Sequence, residues 1–358
     1  HERRTVAIGY FNRHSLIAGR AVARGDAGDL NRLLEDRLLG AFSKRLPLEK
    51  GRSARLVFSE ADLLPGLVVD YFPPDAVIQS NTAGMDLMLT RLTERLPVLI
   101  ERVFQVSLRG LVLRCDSAVR RIEAVESFRK VVYGDPAVLT RAEVYEDGVA
   151  YAADLVAGQK TGFFLDQRVN RLRFGAIARE MPSARVLDLF CYSGGWGLRA
   201  LQAGAGHVTF VDESREALEL VERGLAANAV GPERADLQRA DVFDFLARQP
   251  DSYDAVVADP PAFAKSRKNL PQALKAYQKL FRWAWRRLKP GGVLFACSCS
   301  HHLTQADFLD LLTGAVAKEH GLAHLIYRGG QSQDHPVLLS MPETAYLKCM
   351  GLRKIEDP

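Results

Sequence analysis

The stretch "VLFACSCSHH", residues 293–302, sets Cys297 and Cys299 two residues apart at the end of an apolar run, with His301 and His302 directly behind them. Such residues can supply a nucleophilic thiolate or metal ligands, or can be small hydrophobes packed in a core. A zinc site is disfavoured, because "CSCSHH" lacks the paired spacing with distant ligands that zinc needs. Side chains alternate along a strand, so the two thiols are expected on one face with Cys299 nearer the carboxyl end. Cys297 then reads as buried packing. His301 and His302 read as loop residues or the entry to a helix, with tuning of the thiol as their chemical alternative.

Four acids close apolar runs elsewhere. Asp188 lies in "VLDLFCYSGGWG", where Phe190, Ser193, Gly194, Gly195 and Gly197 follow it in a turn; Asp212 closes "HVTFVD"; Asp241 stands in "RADVFDF"; and Asp259 opens "DPPAF", ahead of two prolines and Phe263. In an open parallel sheet the ligand sits at the carboxyl ends of the strands, a glycine turn lets backbone come close to it, and an acid on the next strand can bind ribose hydroxyls. Taken singly, these features are ordinary turn glycines and helix caps. Four in order along one βα array point to a nucleotide-like cofactor. A nicotinamide is disfavoured, since the turn is not the three-glycine fingerprint and no hydride-transfer partner stands out.

The elements that must hold these residues are legible as runs. "ARVLDLF", "HVTFVD", "YDAVVADPP" and "GGVLFACSC" are short and nearly all apolar, as strands buried on both faces are. Between them lies helical periodicity: Leu270, Leu274, Tyr277, Phe281, Ala284 and Leu288 recur every three or four residues until Pro290, Gly291 and Gly292 stop the pattern. This half reads as a doubly wound α/β domain. Earlier residues mix a strand at 5–11, a helical run after Gly25, further strand-like runs and a helix at about 85–96, and residues 21–137 read as a small α+β domain. "EVYEDGVAYAA" predicts a hairpin turning at Asp147 and Gly148.

The chain has 358 residues, 47% hydrophobic and 25% charged, with a net charge of +5. That is ordinary for a globular protein of about two domains and fits an anionic partner without demonstrating one. No apolar run reaches membrane-spanning length and no leader is seen, which predicts a cytoplasmic protein. Five cysteines, an odd number, predict reduced thiols rather than a disulfide framework.

The segments "AIGYFN", "LVFSEADLLPGLVVDYF", "GQKTGFFLDQR", "VLDLFCYSGGWG", "DPPAFAKSRK", "FACSCSHH" and "DHPVLLSMPETAYLK" run over nearly the whole chain. In them the chain resembles the class I S-adenosylmethionine-dependent methyltransferases, and closely the bacterial 23S ribosomal RNA 5-methylcytosine group. The resemblance implies an α/β, Rossmann-like catalytic domain at 138–358, a smaller N-terminal α+β domain at 21–137, and at 1–20 the remnant of a PUA barrel. It implies S-adenosyl-L-methionine as cofactor and 23S ribosomal RNA as partner, with no membrane and no metal; the oligomeric state stays open, a homodimer being allowed. Asp188, Phe190, Ser193, Gly194 and Gly195 would lie under the methionine end of the cofactor. Asp212 would take the ribose hydroxyls, Asp241 the adenine amino group, and Gln167 and Arg168 would close the pocket, with a surface ion pair as the plain alternative for Arg168. Lys265, Arg267 and Lys268 would meet RNA phosphates, solvated surface being their alternative. Phe263 would stack on the flipped base or pack on the cofactor loop.

Carbon 5 of a pyrimidine is a weak nucleophile, so its methylation needs a thiolate added at carbon 6 and a proton donor at N3. Cys299 and Asp259 are the candidates, Asp259 also bordering the cofactor. Other enzymes of this chemistry carry a second cysteine after "DPP"; here Ala262 and Phe263 stand there, and the base that removes the carbon 5 proton is left unassigned. Two rivals remain. One is methylation of guanine or an exocyclic amine, which needs no thiol; the other is a non-catalytic RNA-binding factor for ribosome assembly.

Overall fold

The computed structural model describes residues 5–26, 28–248, 250–264 and 266–355. Lys265, one of the three expected phosphate contacts, lies outside them. The chain divides into two compact units.

The first unit comprises His1–Glu146, Ala153–Leu165 and Gln333–Thr344. It opens with an antiparallel hairpin, β1 (Ala7–Phe11) and β2 (Gly19–Arg24). Helix α1 (Leu30–Ser43) starts where the Asp29 carboxylate accepts the Asn31 backbone N–H at 2.8 Å, and it buries Leu34, Leu38, Ala41 and Phe42 along one face. β3 (Ala54–Phe58), β4 (Leu67–Phe72) and β5 (Asp75–Ser80) follow as a meander. After the single turn α2 (Ala83–Asp86), helix α3 (Leu89–Phe104) carries the chain to β6 (Gly110–Cys115), which pairs parallel to β5. The short α4 (Val119–Ile122), β7 (Phe128–Tyr133), the turn α5 (Pro136–Leu139) and β8 (Ala142–Glu146) complete the run.

Helix α3 differs from the expected span of about 85–96. It runs straight through Pro97, because Leu92, Leu96, Leu99 and Ile100 form one continuous buried face on both sides of the proline. Their burial outweighs the lost backbone bond. The first unit also extends past the expected boundary at 137 and takes back two later segments. Buried charge explains this: Arg55 clamps Asp70 with two bonds of 2.7 Å, Thr161 donates to Asp70 at 2.5 Å, and Asp334 accepts the Arg55 backbone N–H at 2.9 Å.

The second unit comprises Asp147–Ala152, Asp166–Ser332 and Ala345–Pro358. Its elements are β9 (Val149–Ala153), α6 (Arg168–Arg179), β10 (Arg185–Leu189), α7 (Gly195–Gln202), β11 (His207–Asp212), α8 (Arg215–Ala227), β12 (Ala235–Arg239), α9 (Val242–Arg248), β13 (Tyr253–Ala258), α10 (Leu270–Arg286), β14 (Leu288–Ser298), α11 (Gln305–Ala317), β15 (Leu322–Gly329) and β16 (Lys348–Ile355). β8 and β9 form the hairpin read from the sequence, and its turn residues Asp147 and Gly148 both have positive φ, +50° and +82°.

The large sheet has the order β12-β11-β10-β13-β14-β16-β15. Five strands are parallel, and the order reverses between β10 and β13. That is the switch point where α/β sheets bind ligands. The sheet is mixed rather than all parallel, since β16 runs antiparallel between β14 and β15. Helix α10 ends at Arg286, earlier than its periodicity predicts, and Leu288 instead pairs with Tyr253 in the sheet, where it is equally buried. Among the described residues no helix is long and apolar enough to cross a membrane.

Candidate active site

Asp188 is the penultimate residue of β10, at the switch point, and is fully buried. Its Oδ2 accepts the Gly197 backbone N–H at 2.9 Å, while Oδ1 has no hydrogen-bond partner among the described residues. Burial, and then the neighbouring charges of Asp259 and Asp212, push its carboxyl up to about 8. The turn after it is tightly wound: Phe190, Tyr192 and Gly194 have φ of +59°, +47° and +73°. The left-handed region costs an aromatic residue about 1 to 3 kcal/mol. The turn is held by bonds from Cys191 N to Val211 O at 3.1 Å, Tyr192 N to Asp212 Oδ2 at 2.9 Å and Gly194 N to Cys191 O at 2.7 Å.

Ser193 is buried in this turn, and Gly194 and Gly195 lead into α7. Gly197 is required by packing: a Cβ there would lie 2.2 Å from the Phe210 ring. Asp212 closes β11 and accepts from Tyr192 N and, at 3.0 Å, from Ser214 N. Asp241 is exposed; its side chain accepts the Asp244 backbone N–H at 3.0 Å at the start of α9, as a helix cap does.

Asp259 follows β13 and sits at the meeting of three elements. Gln167 Nε2 donates to both of its oxygens at 3.0 Å, and Trp196 Nε1 of α7 donates to Oδ2 at 3.1 Å. Gln167 is itself oriented, its Oε1 accepting from Asn170 Nδ2 at 2.6 Å. Gln167 and Asp259, both named from the sequence, are thus in contact. Trp196 was not singled out; its place between two turn glycines was the available signal. Arg168 is turned to Asp147, with which it forms an ion pair at 2.5 Å.

Beyond Asp259, Phe263 is half-buried, its ring centroid 4.6 Å from Tyr277 and 6.3 Å from both Phe190 and Phe243. Arg267 and Lys268 are exposed at the turn before α10. The thiols divide sharply. Cys297 lies in β14 opposite Cys349, fully buried, and burial pushes its thiol far above the ordinary range. Cys299 stands one residue beyond the strand and is half-exposed, whereas Cys115, Cys191, Cys297 and Cys349 are all buried. Tyr277 ties the two loops together, accepting from Ser298 Oγ at 3.0 Å, bonding Ser300 Oγ at 2.9 Å and accepting the Phe263 N–H at 3.4 Å. His301 and His302 are exposed in the following loop, and α11 is capped by Thr304 instead.

Residues 115–352 match the family model described as S-adenosylmethionine-dependent methyltransferase. The chain belongs to this methyltransferase family. The relatives of this methyltransferase include the ribosomal RNA large subunit methyltransferase I of Photobacterium profundum, 35% identical over 82% of this chain and 72% of that one. The protein of the same name from Klebsiella pneumoniae is 32% identical over 99% of this chain and 88% of its own. A Streptococcus mutans structure assigned as a S-adenosylmethionine-dependent methyltransferase shares the fold, with a TM-score of 0.79 at 20% identity over 97% of this chain and 88% of that one.

S-adenosylmethionine is therefore the cofactor of this methyltransferase, and the strand ends fit it. A fully buried carboxylate oxygen lacking a donor, beside a turn of glycines, is suited to the cationic methionine end of such a molecule.

Proposed function

We propose that this methyltransferase modifies carbon 5 of a cytosine in 23S ribosomal RNA, with Cys299 as nucleophile. The observation that carries this reading is the thiol census: one cysteine of five is not buried, and it stands at the ligand end of the sheet, in the loop Tyr277 links to Phe263. The ribosomal RNA named for the relatives supports the substrate class. We take residues 1–20 as PUA-like, 21–137 as the central domain and 138–358 as the catalytic domain of a cytoplasmic enzyme.

Bound S-adenosylmethionine supplies an electrophilic methyl group. Asp188 and the turn through Gly195 would hold its methionine end, Asp212 its ribose and Asp241 its adenine, with Gln167 fixing the adjoining Asp259. The Cys299 thiolate adds to carbon 6 of the cytosine while N3 takes a proton, which makes carbon 5 able to accept the methyl group. A base then removes the carbon 5 proton, the carbon–sulfur bond breaks, N3 gives its proton back, and the thiolate is regenerated. The net products besides methylated base are S-adenosylhomocysteine and one proton. Asp259 accepts three N–H bonds, so it must take up a proton before it can give one to N3.

That acceptor geometry favours a second reading, in which Asp259 receives an N–H of an exocyclic amine that is itself methylated. The thiol separates the two. RNA carrying 5-fluorocytosine at the target should be methylated once and stay bonded to Cys299, since fluorine cannot leave as a proton. Cys299→Ala should abolish both adduct and turnover and spare cofactor binding, whereas Cys297→Ala should form the adduct. Production of 5-methylcytosine by the Cys299→Ala protein would rule Cys299 out as the nucleophile, and a methylated amine as product would rule the carbon 5 reading out.

A further inference from the structure

Lys348 opens β16 directly opposite Ser298 in the antiparallel register with β14. The strand that runs against its neighbours therefore delivers its first side chain to the carboxyl end of the parallel strands, where it reaches the carbonyl of Ser300, the residue after Cys299. Lys348 is only 7% exposed, and its Nζ donates to the carbonyl oxygens of Ser300 at 2.6 Å and Tyr346 at 2.7 Å. An ammonium carries three protons, and two backbone carbonyls do not neutralise its charge. No carboxylate pairs with it among the described residues. A buried cation without a counter-charge is costly, and burial pushes Lys348 down to about 8. The negative group that works against this is Cys299 in its thiolate form.

Other described titratable groups stand around this loop. Tyr277 of α10 is hydrogen-bonded to Ser298 and Ser300, and burial raises its phenol above the ordinary range, so it stays neutral. His301 stacks 5.5 Å from Tyr346, and partial burial followed by the Lys348 charge holds its imidazole below the ordinary range. His302 is exposed in the same loop. Asp259, at the end of β13, is taken up by Gln167 and Trp196.

We propose that the buried Lys348 ammonium holds Cys299 as a thiolate and so acts as a positioning residue for the nucleophile. The role rests on the reading of Cys299 given above. The thiol proton leaves to water, the ammonium keeps its three protons, and the sulfur retains the electron pair that bonds carbon 6.

The test measures Cys299 ionisation apart from methyl transfer. Iodoacetamide alkylation of the native protein, followed by peptide mapping from about pH 5 to about pH 10, brackets the ordinary thiol value of about 8.5. The other four cysteines are buried, so the native signal is that of Cys299. The wild-type midpoint is expected below about 8.5, and Lys348→Met should raise it by about one pH unit or more. Lys348→Arg should keep the lower midpoint. Methylation by Lys348→Met at neutral pH should fall about tenfold and recover at high pH. If Lys348→Met opens the fold, the buried cysteines alkylate as well, and the wild-type midpoint and the arginine variant decide. A wild-type midpoint at or above the ordinary value, or one unmoved by Lys348→Met, overturns the role of Lys348. Methylation that survives in Cys299→Ala overturns the nucleophile reading instead and leaves the alkylation midpoint where it was.

Discussion

Asp188 shows how one residue's surroundings can oppose its own ionisation. Its carboxyl is pushed from an ordinary 3.8 to about 8 by burial and by its two acidic neighbours, so the folded protein keeps a proton there that the unfolded chain releases. Between roughly pH 4 and pH 8 the native state thus binds more protons than the unfolded one, and stability through this group falls as pH rises. Asp188→Asn keeps an oxygen to accept the Gly197 N–H and removes the titration. Its melting temperature should exceed that of wild type by a few degrees at pH 8 and by much less at pH 5. Thermal melts at the two pH values check this, and an equal difference at both would mean that Asp188 is ionised in the folded protein. The stabilised variant should also bind S-adenosylmethionine more weakly, because an amide cannot release a proton to become the anion that a cationic ligand favours.

At the scale of elements, legibility followed chain direction. The acids closing β10, β11 and β13 could be picked out because parallel strands share one polarity, and a run of apolar residues ending in Asp marks the same end of the sheet each time. Lys348 could not be placed that way. It begins its strand, and it reaches the same end only because β16 is antiparallel, a fact of topology that no local pattern carries; the one local hint is a charge inside the apolar run "YLKCMGL". Helix α3 runs past the expected end at 96 because burial of Leu99 and Ile100 beyond Pro97 prevails over the lost backbone bond. The crossing of α7 over β11 is sensitive to a single change. Gly197→Ala would place a Cβ 2.2 Å from Phe210 and 2.8 Å from Val208, both fully buried. It should destabilise the protein by about 1 to 3 kcal/mol and lower cofactor affinity by shifting the turn. Gly40→Ala is the control: this exposed position of α1 has nothing within 4 Å of its Cβ, and the change should stabilise by about 0.5 to 1 kcal/mol. Urea unfolding of both variants separates a helix-propensity effect from a packing one.

Across the whole molecule the charge is nearly balanced, 48 basic against 43 acidic residues, so affinity for a polyanion would have to come from where cations are left unpaired. Many arginines are not available: Arg45 and Arg55 are locked to Asp62 and Asp70, Arg120 to Asp86, and Arg168 to Asp147. Arg267 and Lys268, by contrast, stand exposed where the loop after Asp259 enters α10, on the same loop as Phe263. If the substrate is a polyanion bound at the ligand end of the sheet, these two side chains are placed to take its phosphates, and Lys265 precedes them in the sequence. Each phosphate neutralised by a cation releases counterions, and contributes roughly 0.7 to 0.9 to the slope of log affinity against log salt. Replacing Lys265, Arg267 and Lys268 together with Ala should therefore weaken binding to large-subunit RNA at low salt and flatten that slope by roughly 2 to 3. Cofactor affinity should not move, because Asp188, Asp212 and the glycine turn are untouched. RNA titrations at several salt concentrations, with calorimetry of cofactor binding alongside, make the comparison. An unchanged slope would assign these cations to solvated surface and direct the search for the RNA path to other faces of the protein.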